Sequence, residues 1–208
     1  MSDLIVKDLG LKEYNSVFKI MKEFTHQRAS ETQDEFWCVQ HPAVFTLGAN
    51  ADQQHILEKT NIPIVQSDRG GQVTYHGPGQ VIIYLLVDLK RKKMGVKKLV
   101  ENIELALVNL LLEYGIEAQA LTEAHGVYVK KAKIASLGLR VHSGCSYHGL
   151  ALNVDMDLNP FNMINPCGHA GLEVTQLKDL GVNKNQKLIV SDLVIKLCEQ
   201  LGYQKPSS

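Results

Sequence analysis

Near the start of the chain, Tyr14, Val17, Phe18, Met21 and Phe24 recur at helical spacing with charged residues between them, which predicts an amphipathic helix over 13–28. That stripe reads as core packing. Two apolar runs follow, 36–40 and 43–48, and predict two strand pieces interrupted at His41-Pro42, because proline removes a ladder donor. Cys38, between Trp37 and Val39, reads as strand core. A polar loop over 50–55 leads to a predicted strand at 62–65, and the seven apolar residues 81–87 predict a buried one. A helix over 96–113 carries Val96, Leu99, Val100, Ile103, Ala106, Leu107, Leu110 and Leu111 on its buried face. Short strands are then expected at 116–120, 126–129, 133–138 and 146–153, with a turn at Lys130-Lys131-Ala132 and at least one hairpin. The loop 155–167, broken at Asn159-Pro160 and Asn165-Pro166, has no apolar periodicity. The last helix, 188–201, aligns Leu188, Val190, Leu193, Val194, Leu197 and Leu201, with Cys198 alongside as core. No repeat, low-complexity tract or linker divides the chain, so 1–208 reads as one domain.

Composition narrows the class. The chain has 208 residues, 45% hydrophobic and 21% charged, which suits an ordinary globular domain with a sizeable core and argues against disorder. Lys+Arg and Asp+Glu are both 22, so no global field draws the chain to nucleic acid or to a membrane. The N-terminus lacks a secretory pattern, and the run 81–87 is far short of a bilayer span, so a cytoplasmic location is expected. In that reducing setting Cys38, Cys145, Cys167 and Cys198, with no CxxC pair, are free thiols. Lys90, Arg91, Lys92, Lys93, Lys97 and Lys98 place six positive charges in nine residues with no acid among them. They read as a solvated basic loop or as a dock for something acidic. No aromatic residue interleaves them to stack on bases, which disfavours nucleic acid.

The densest chemistry lies in Arg69-Gly70-Gly71-Gln72-Val73-Thr74-Tyr75-His76-Gly77-Pro78-Gly79-Gln80. Its glycines allow close backbone approach, and Arg69 brings forked donors for an anion or a carbonyl, so the stretch reads as a binding wall or as a glycine-rich turn before a buried strand. A phosphate loop is excluded, because no Gly-Lys-Ser/Thr and no long helix follow the glycines. Cys145-x-x-His148 with Cys167-x-His169 offers four zinc ligands at loose spacing. Cys167, between Pro166 and Gly168, fits neither a helix nor a strand core. It reads as a nucleophile whose thiolate is stabilised by a cation, and His76, His148, His169 and Lys133 all remain open as that partner. Lys133, where a strand leaves its turn, reads otherwise as an edge charge.

The stretch 69–80, together with Lys133-Ile134-Ala135-Ser136-Leu137-Gly138, His148-Gly149-Leu150-Ala151-Leu152-Asn153 and Asn165-Pro166-Cys167-Gly168, resembles the lipoyl(octanoyl) transferase family. Gln40-His41-Pro42-Ala43-Val44-Phe45-Thr46-Leu47-Gly48 is similar to that family too, and the likeness spans roughly 36–181. Asn50-Ala51 departs from its pattern, which puts the detail of that loop in doubt. The resemblance implies an α/β (α+β) fold of the biotin/lipoate protein ligase-like kind, a mixed β-sheet packed by helices. It implies transfer of octanoate from octanoyl-acyl carrier protein through Cys167 to a lysine of lipoyl domains, those of 2-oxoacid dehydrogenases and of the glycine cleavage H protein. Lys133 would lower the Cys167 pKa and act as general acid and base, provided that burial lowers its own pKa. The acyl-binding walls would be Arg69, Gly70, Gly71, Gln72, Val73, Thr74, Tyr75 and His76, then Ser136, Leu137 and Gly138, then Gly149, Leu150 and Ala151, with small residues such as Gly149 leaving room for the tail. Backbone N–H groups at Gly70-Gly71 or beside Cys167 would hold the oxyanion. No metal, nucleotide or organic cofactor, no nucleic acid and no membrane is implied. Acidic carriers would give the cations of 90–98 a partner. Two other readings stand beside this one: an ATP-dependent lipoate- or biotin-protein ligase of the same fold, which has no need of Cys167, and a catalytically silent binding module.

Overall fold

The structure is a computed structural model that describes residues 4–121, 124–166 and 171–205. Seven strands form the main sheet: β1 (Leu4–Leu11), β2 (Asp34–Gln40), β6 (Gln80–Leu86), β7 (Gln119–Ala120), β8 (Gly126–Val129), β9 (Ala132–His142) and β10 (Cys145–Asn153). Their order is β1-β2-β6-β10-β9-β8-β7. Only β1 and β2 run parallel, and every other neighbouring pair is antiparallel. A second sheet, β4 (Ile64–Gln66), β3 (Val44–Leu47) and β5 (Val73–His76), has the order β4-β3-β5. The two runs on either side of His41-Pro42 therefore belong to different sheets, and the proline marks where the chain passes from one to the other.

Helices α2 (Val96–Glu113) and α3 (Gln186–Leu201) pack on one face of the main sheet. There Val81, Ile83, Leu85 and Val87 alternate inward with Leu150, Leu152 and Val154 to build the largest core. Helix α1 (Tyr14–His26) lies on the other face, its buried stripe of Val17 and Met21 meeting Trp37, Val39, Ile82, Tyr84 and Ala151. The small sheet has its own core, in which Phe45, Leu47, Val73 and Tyr75 pack on Phe161 and Ile164 from the loop that follows β10. That loop contains a 3-10 turn at Asn159–Met163 with a proline in its first turn, which explains why no helical or strand period marks it. No helix among the described residues is long and apolar enough to cross a membrane.

Several expectations change. Val96 and Leu188, assigned to buried helix faces, are exposed, each in the first turn of its helix; Ile189 takes the inward position in α3. The strand expected at 116–120 shrinks to Gln119–Ala120. The basic segment is not simply a solvated loop. The Arg91 guanidinium donates to Asp34 Oδ1 at 2.6 Å, and Lys92 Nζ donates to Leu201 O at 2.9 Å while lying 3.3 Å from the centre of the Tyr203 ring. Asp34, fully buried, also accepts from Arg28 Nη2 and from the Tyr203 hydroxyl, each at 2.6 Å, so one carboxylate ties the chain's end to α1's exit and to the basic loop. The loop sits at the Gly144 end of the β9–β10 hairpin, where Leu89 N–H donates to Gly144 O. His142 at that end and Lys133 at the other are nine residues apart on β9, about 30 Å at ~3.3 Å per residue.

Candidate active site

Register across β9, β10 and β6 lays out a floor in two rows. Ala151 pairs with both Ser136 and Ile82, and Gly149 pairs with both Gly138 and Tyr84. Each row spans about 10 Å, two strand spacings of ~4.8 Å, and the rows are about 7 Å apart. The chain before β5 and β5 itself pass over this floor and bound a recess whose empty space, counting the part open to solvent, is about 480 Å³. Arg69, Gly71, Gln72, Val73, Thr74 and His76 line it from above, and Ser136, Leu137, Gly138, Gly149, Leu150 and Ala151 from below. Two of the expected wall residues do not line it. Gly70 donates its N–H to Leu139 O at 3.0 Å, which ties the loop to β9 and removes that N–H as an oxyanion donor. Tyr75 turns into the small core against Phe45 and Phe161. Gly149 also has a different role from the one expected. A Cβ there would fall 2.0 Å from Ile83 O, so glycine is required for β10 to lie against β6, not to widen a channel.

Arg69 is buried, and its donors are used within the protein. Its Nε and Nη2 donate to Thr46 Oγ1 at 3.2 and 2.9 Å, Nη2 also to Thr46 O at 2.6 Å, and Nη1 to Gly70 O at 2.8 Å. A buried guanidinium must satisfy its N–H groups, and here it clamps the glycine loop onto β3 instead of presenting a fork to a ligand.

The tautomers of the buried histidines follow from their partners. Gln80 Nε2 donates to Asn153 Oδ1 at 2.9 Å and Tyr75 O at 3.3 Å, which leaves Gln80 Oε1 to accept from His76 Nδ1–H at 2.7 Å. His41 Nδ1 meets the carbonyl of Lys12 at 2.6 Å and must be protonated, so its Nε2 accepts from the Tyr84 hydroxyl at 2.7 Å. Tyr14 stacks on His76 and sits edge-on to His41, with its hydroxyl 2.8 Å from Ser67 Oγ. Burial drives His76 down to about 3, helped by repulsion from His41, and also lowers His41. Burial raises Tyr84 and Tyr14 above the phenol range, so both rings stay neutral.

His148, in the left-handed region at φ 59° and 1% exposed, gives its Nε2–H to Asp68 Oδ1 at 2.8 Å. Among the described residues its Nδ1 is buried without a hydrogen-bond partner. Burial lowers His148 in spite of the carboxylate. Burial alone would raise Asp68, but hydrogen bonds from His148 and Tyr147, the His148 charge and Lys22 together outweigh it and hold that carboxyl well below the usual range.

Lys133 is 2% exposed, in strand interior and not at an edge. Between the pairs Val127–Ala135 and Tyr128–Lys133, β9 carries one extra residue, Ile134. This bulge reverses the alternation: Ile134, Ala135, Leu137 and Leu139 all face the α2–α3 core, while Lys133 turns to the recess side, its Nζ 5.3 Å from the Tyr128 ring centre. Gly126 makes the passage, since a Cβ there would lie 2.4 Å from Lys133 Cε. Lys133 stands beyond Ser136 along β9 and does not itself line the recess among the described residues. Its N–H donates to Glu173 O at 2.8 Å and its carbonyl accepts from Thr175 N–H at 2.9 Å. Asn153 Nδ2 donates to Thr175 O at 3.0 Å, which links this segment through Gln80 to His76.

Cys167 and His169 lie outside the described residues. Of the proposed zinc set, His148 is committed to Asp68, and no group of three or more His, Cys, Asp or Glu among the described residues could hold a metal. Cys38, Cys145 and Cys198 are buried thiols, each raised by burial and so not activated. The sequence reading missed Tyr14, taken as core packing, and also Ile82 and Tyr84, whose apolar run gave only a strand signal. His41 was visible in the Gln40-His41-Pro42 motif.

The family model for the lipoyl protein ligase A/B catalytic domain matches residues 13–201. An octanoyltransferase of Methylococcus capsulatus (strain Bath) is 55% identical over 198 residues, covering 95% of this chain and 96% of the relative. One from Shewanella sp. (strain W3-18-1) is 53% identical over 201 residues, covering 97% and 93%. Among solved structures, the bi-partite lipoate protein ligase of Thermoplasma acidophilum, from a study of an archaeal lipoylation system with its E2 lipoyl domain, superposes with a TM-score of 0.79 at 14% identity, covering 100% of this chain and 87% of that one. At that identity the likeness concerns the fold.

Proposed function

The chain belongs to the lipoyl protein ligase A/B catalytic domain family and catalyses octanoyl transfer in protein lipoylation, and from that premise we propose that the acyl group passes through a thioester on Cys167 assisted by Lys133. The observation that carries the reading is the buried Lys133, turned to the recess side by the Ile134 bulge and hydrogen-bonded through its backbone to Glu173, six positions after Cys167 in sequence.

In the proposed reaction the Cys167 thiolate, stabilised by the Lys133 ammonium, attacks the thioester carbonyl of octanoyl-acyl carrier protein. The new C–S bond forms as the carrier's sulfur leaves, taking a proton from Lys133. The neutral Lys133 amine then accepts the proton lost by the attacking lysine of a lipoyl domain as the amide forms and the Cys167 thiolate departs. The lysine is thereby returned to its starting state, and neither step requires ATP. The octanoyl tail occupies the recess between the 69–76 wall and the floor of β9, β10 and β6. The acceptors are lipoyl domains of 2-oxoacid dehydrogenases and the glycine cleavage H protein, and the activity resides in a single cytoplasmic domain over 1–208.

Intact-protein mass spectrometry tests this reading after incubation with octanoyl-acyl carrier protein alone. An octanoyl adduct on the wild type, absent from Cys167→Ser and discharged by a lipoyl domain, is expected. A Cys167→Ser variant that transfers octanoate at the wild-type rate would refute it.

A further inference from the structure

We propose that Tyr84 is the stop that sets how long an acyl chain the recess accepts. The inference rests on the reading above, in which the reacting carbonyl lies at the Lys133 end of β9. From there the floor has a far corner. Ser136 is the lining residue nearest Lys133 along β9, and Tyr84 lies two strands across and one row down from it.

With strand spacings of ~4.8 Å and ~3.3 Å per residue, the diagonal from Ser136 to Tyr84 is about 12 Å. An extended eight-carbon chain, with C–C bonds of about 1.5 Å, spans roughly 9 Å. Adding a carbon contact distance of ~3.5–4.0 Å gives about 13 Å, which matches the span from Ser136 to the Tyr84 position on β6. Two further carbons add about 2.5 Å, which this diagonal does not hold.

A side chain can limit length only if it does not swing aside, and Tyr84 is held at both ends. Its backbone lies in the central strand β6, paired to β2 and β10. Its hydroxyl donates to His41 Nε2 at 2.7 Å, and His41 is fixed in turn by the Lys12 carbonyl at 2.6 Å. His148 packs against it in an edge-on arrangement, with ring centres 6.1 Å apart. Because the hydroxyl is engaged by His41, the tail meets an apolar ring in an otherwise histidine-rich corner.

The test uses hexanoyl-, octanoyl-, decanoyl- and dodecanoyl-acyl carrier protein as donors and a lipoyl domain as acceptor. Wild type should fall at least tenfold from octanoyl to dodecanoyl. Tyr84→Ala should raise dodecanoyl relative to octanoyl at least tenfold, and Tyr84→Phe, which keeps the ring, should retain the wild-type profile. Should Tyr84→Ala fail to fold with His41 Nε2 left unpartnered, Tyr84→Leu serves the same purpose with an apolar side chain in place. Folded Tyr84→Ala or Tyr84→Leu protein with an unchanged length profile overturns the stop while leaving the transferase reading intact. Wild-type protein that moves no acyl group at any length overturns both.

Discussion

Acidification should destabilise this protein between pH 6.5 and 4.5, because three imidazoles are buried neutral beside its recess. His41, His76 and His148 are all held below the ordinary value of 6.5 by burial, His76 as far as about 3. In the unfolded chain they return to about 6.5, so within this window the unfolded state binds more protons than the folded one, and stability falls as pH falls. Their contribution is complete above pH 6.5 and is lost as pH drops through the unfolded value. Each fully withheld proton costs about 1.4 kcal/mol per pH unit. His76 alone then removes roughly 2–3 kcal/mol by pH 4.5, a large part of a net stability of about 5–15 kcal/mol. Asp68 acts in a separate window. Its carboxyl is lowered on folding, so its contribution is present above 3.8 and is lost only as pH falls further. Urea denaturation at constant ionic strength, at half-unit steps from pH 7 to 4.5, gives the slope for wild type and for His76→Asn, whose amide nitrogen stands near imidazole Nδ1 and can donate to Gln80 Oε1. The variant should be less stable at pH 7 and show a shallower slope by up to one proton. Equal slopes in the two proteins would refute the reasoning.

Two other expectations follow from particular contacts. Asp34→Ala leaves the buried guanidinium of Arg28 uncompensated and releases Arg91 and Tyr203, and should cost about 3–5 kcal/mol in urea denaturation; a loss below 1 kcal/mol would show that the carboxylate is not the tie it resembles. Gly126→Ala places a methyl 2.4 Å from Lys133 Cε at a backbone φ of 139° that alanine resists, and a displacement of about 1 Å in a reacting group should cost on the order of 100-fold in octanoyl transfer. Unchanged turnover in folded protein would place Lys133 outside the chemistry.

What could be read beforehand follows the strength of each local pattern. The helices α1, α2 and α3 and the strands β6 and β10 were legible because long periods or unbroken apolar runs mark them. Strand β1 was not, since it pairs only with β2 and lies half exposed at the sheet's edge, which leaves no clean alternation. The division of 34–47 between two sheets was hidden because both halves look alike, and only His41-Pro42 hints at the change. Arg91 and Lys92 looked like solvated charges because their partners lie 57 and 109 residues away along the chain. At the recess, the glycine-rich wall stood out by composition. Tyr14 and Tyr84 did not, because an aromatic at helical spacing or within an apolar strand carries the same signal whether it fills a core or bounds a recess.

The residue Ile134 has a consequence for how this protein tolerates change. Which side of the sheet receives the lysine depends on a count, odd or even, and not on what any side chain in β9 is. Point substitutions leave that count alone, however much they disturb packing. Removing Ile134 itself would restore regular alternation and leave the ammonium on the recess side, whereas a strand that keeps its length and loses the bulge would carry the ammonium through the sheet into the oily layer beneath α2, so length and bulge here can change only together.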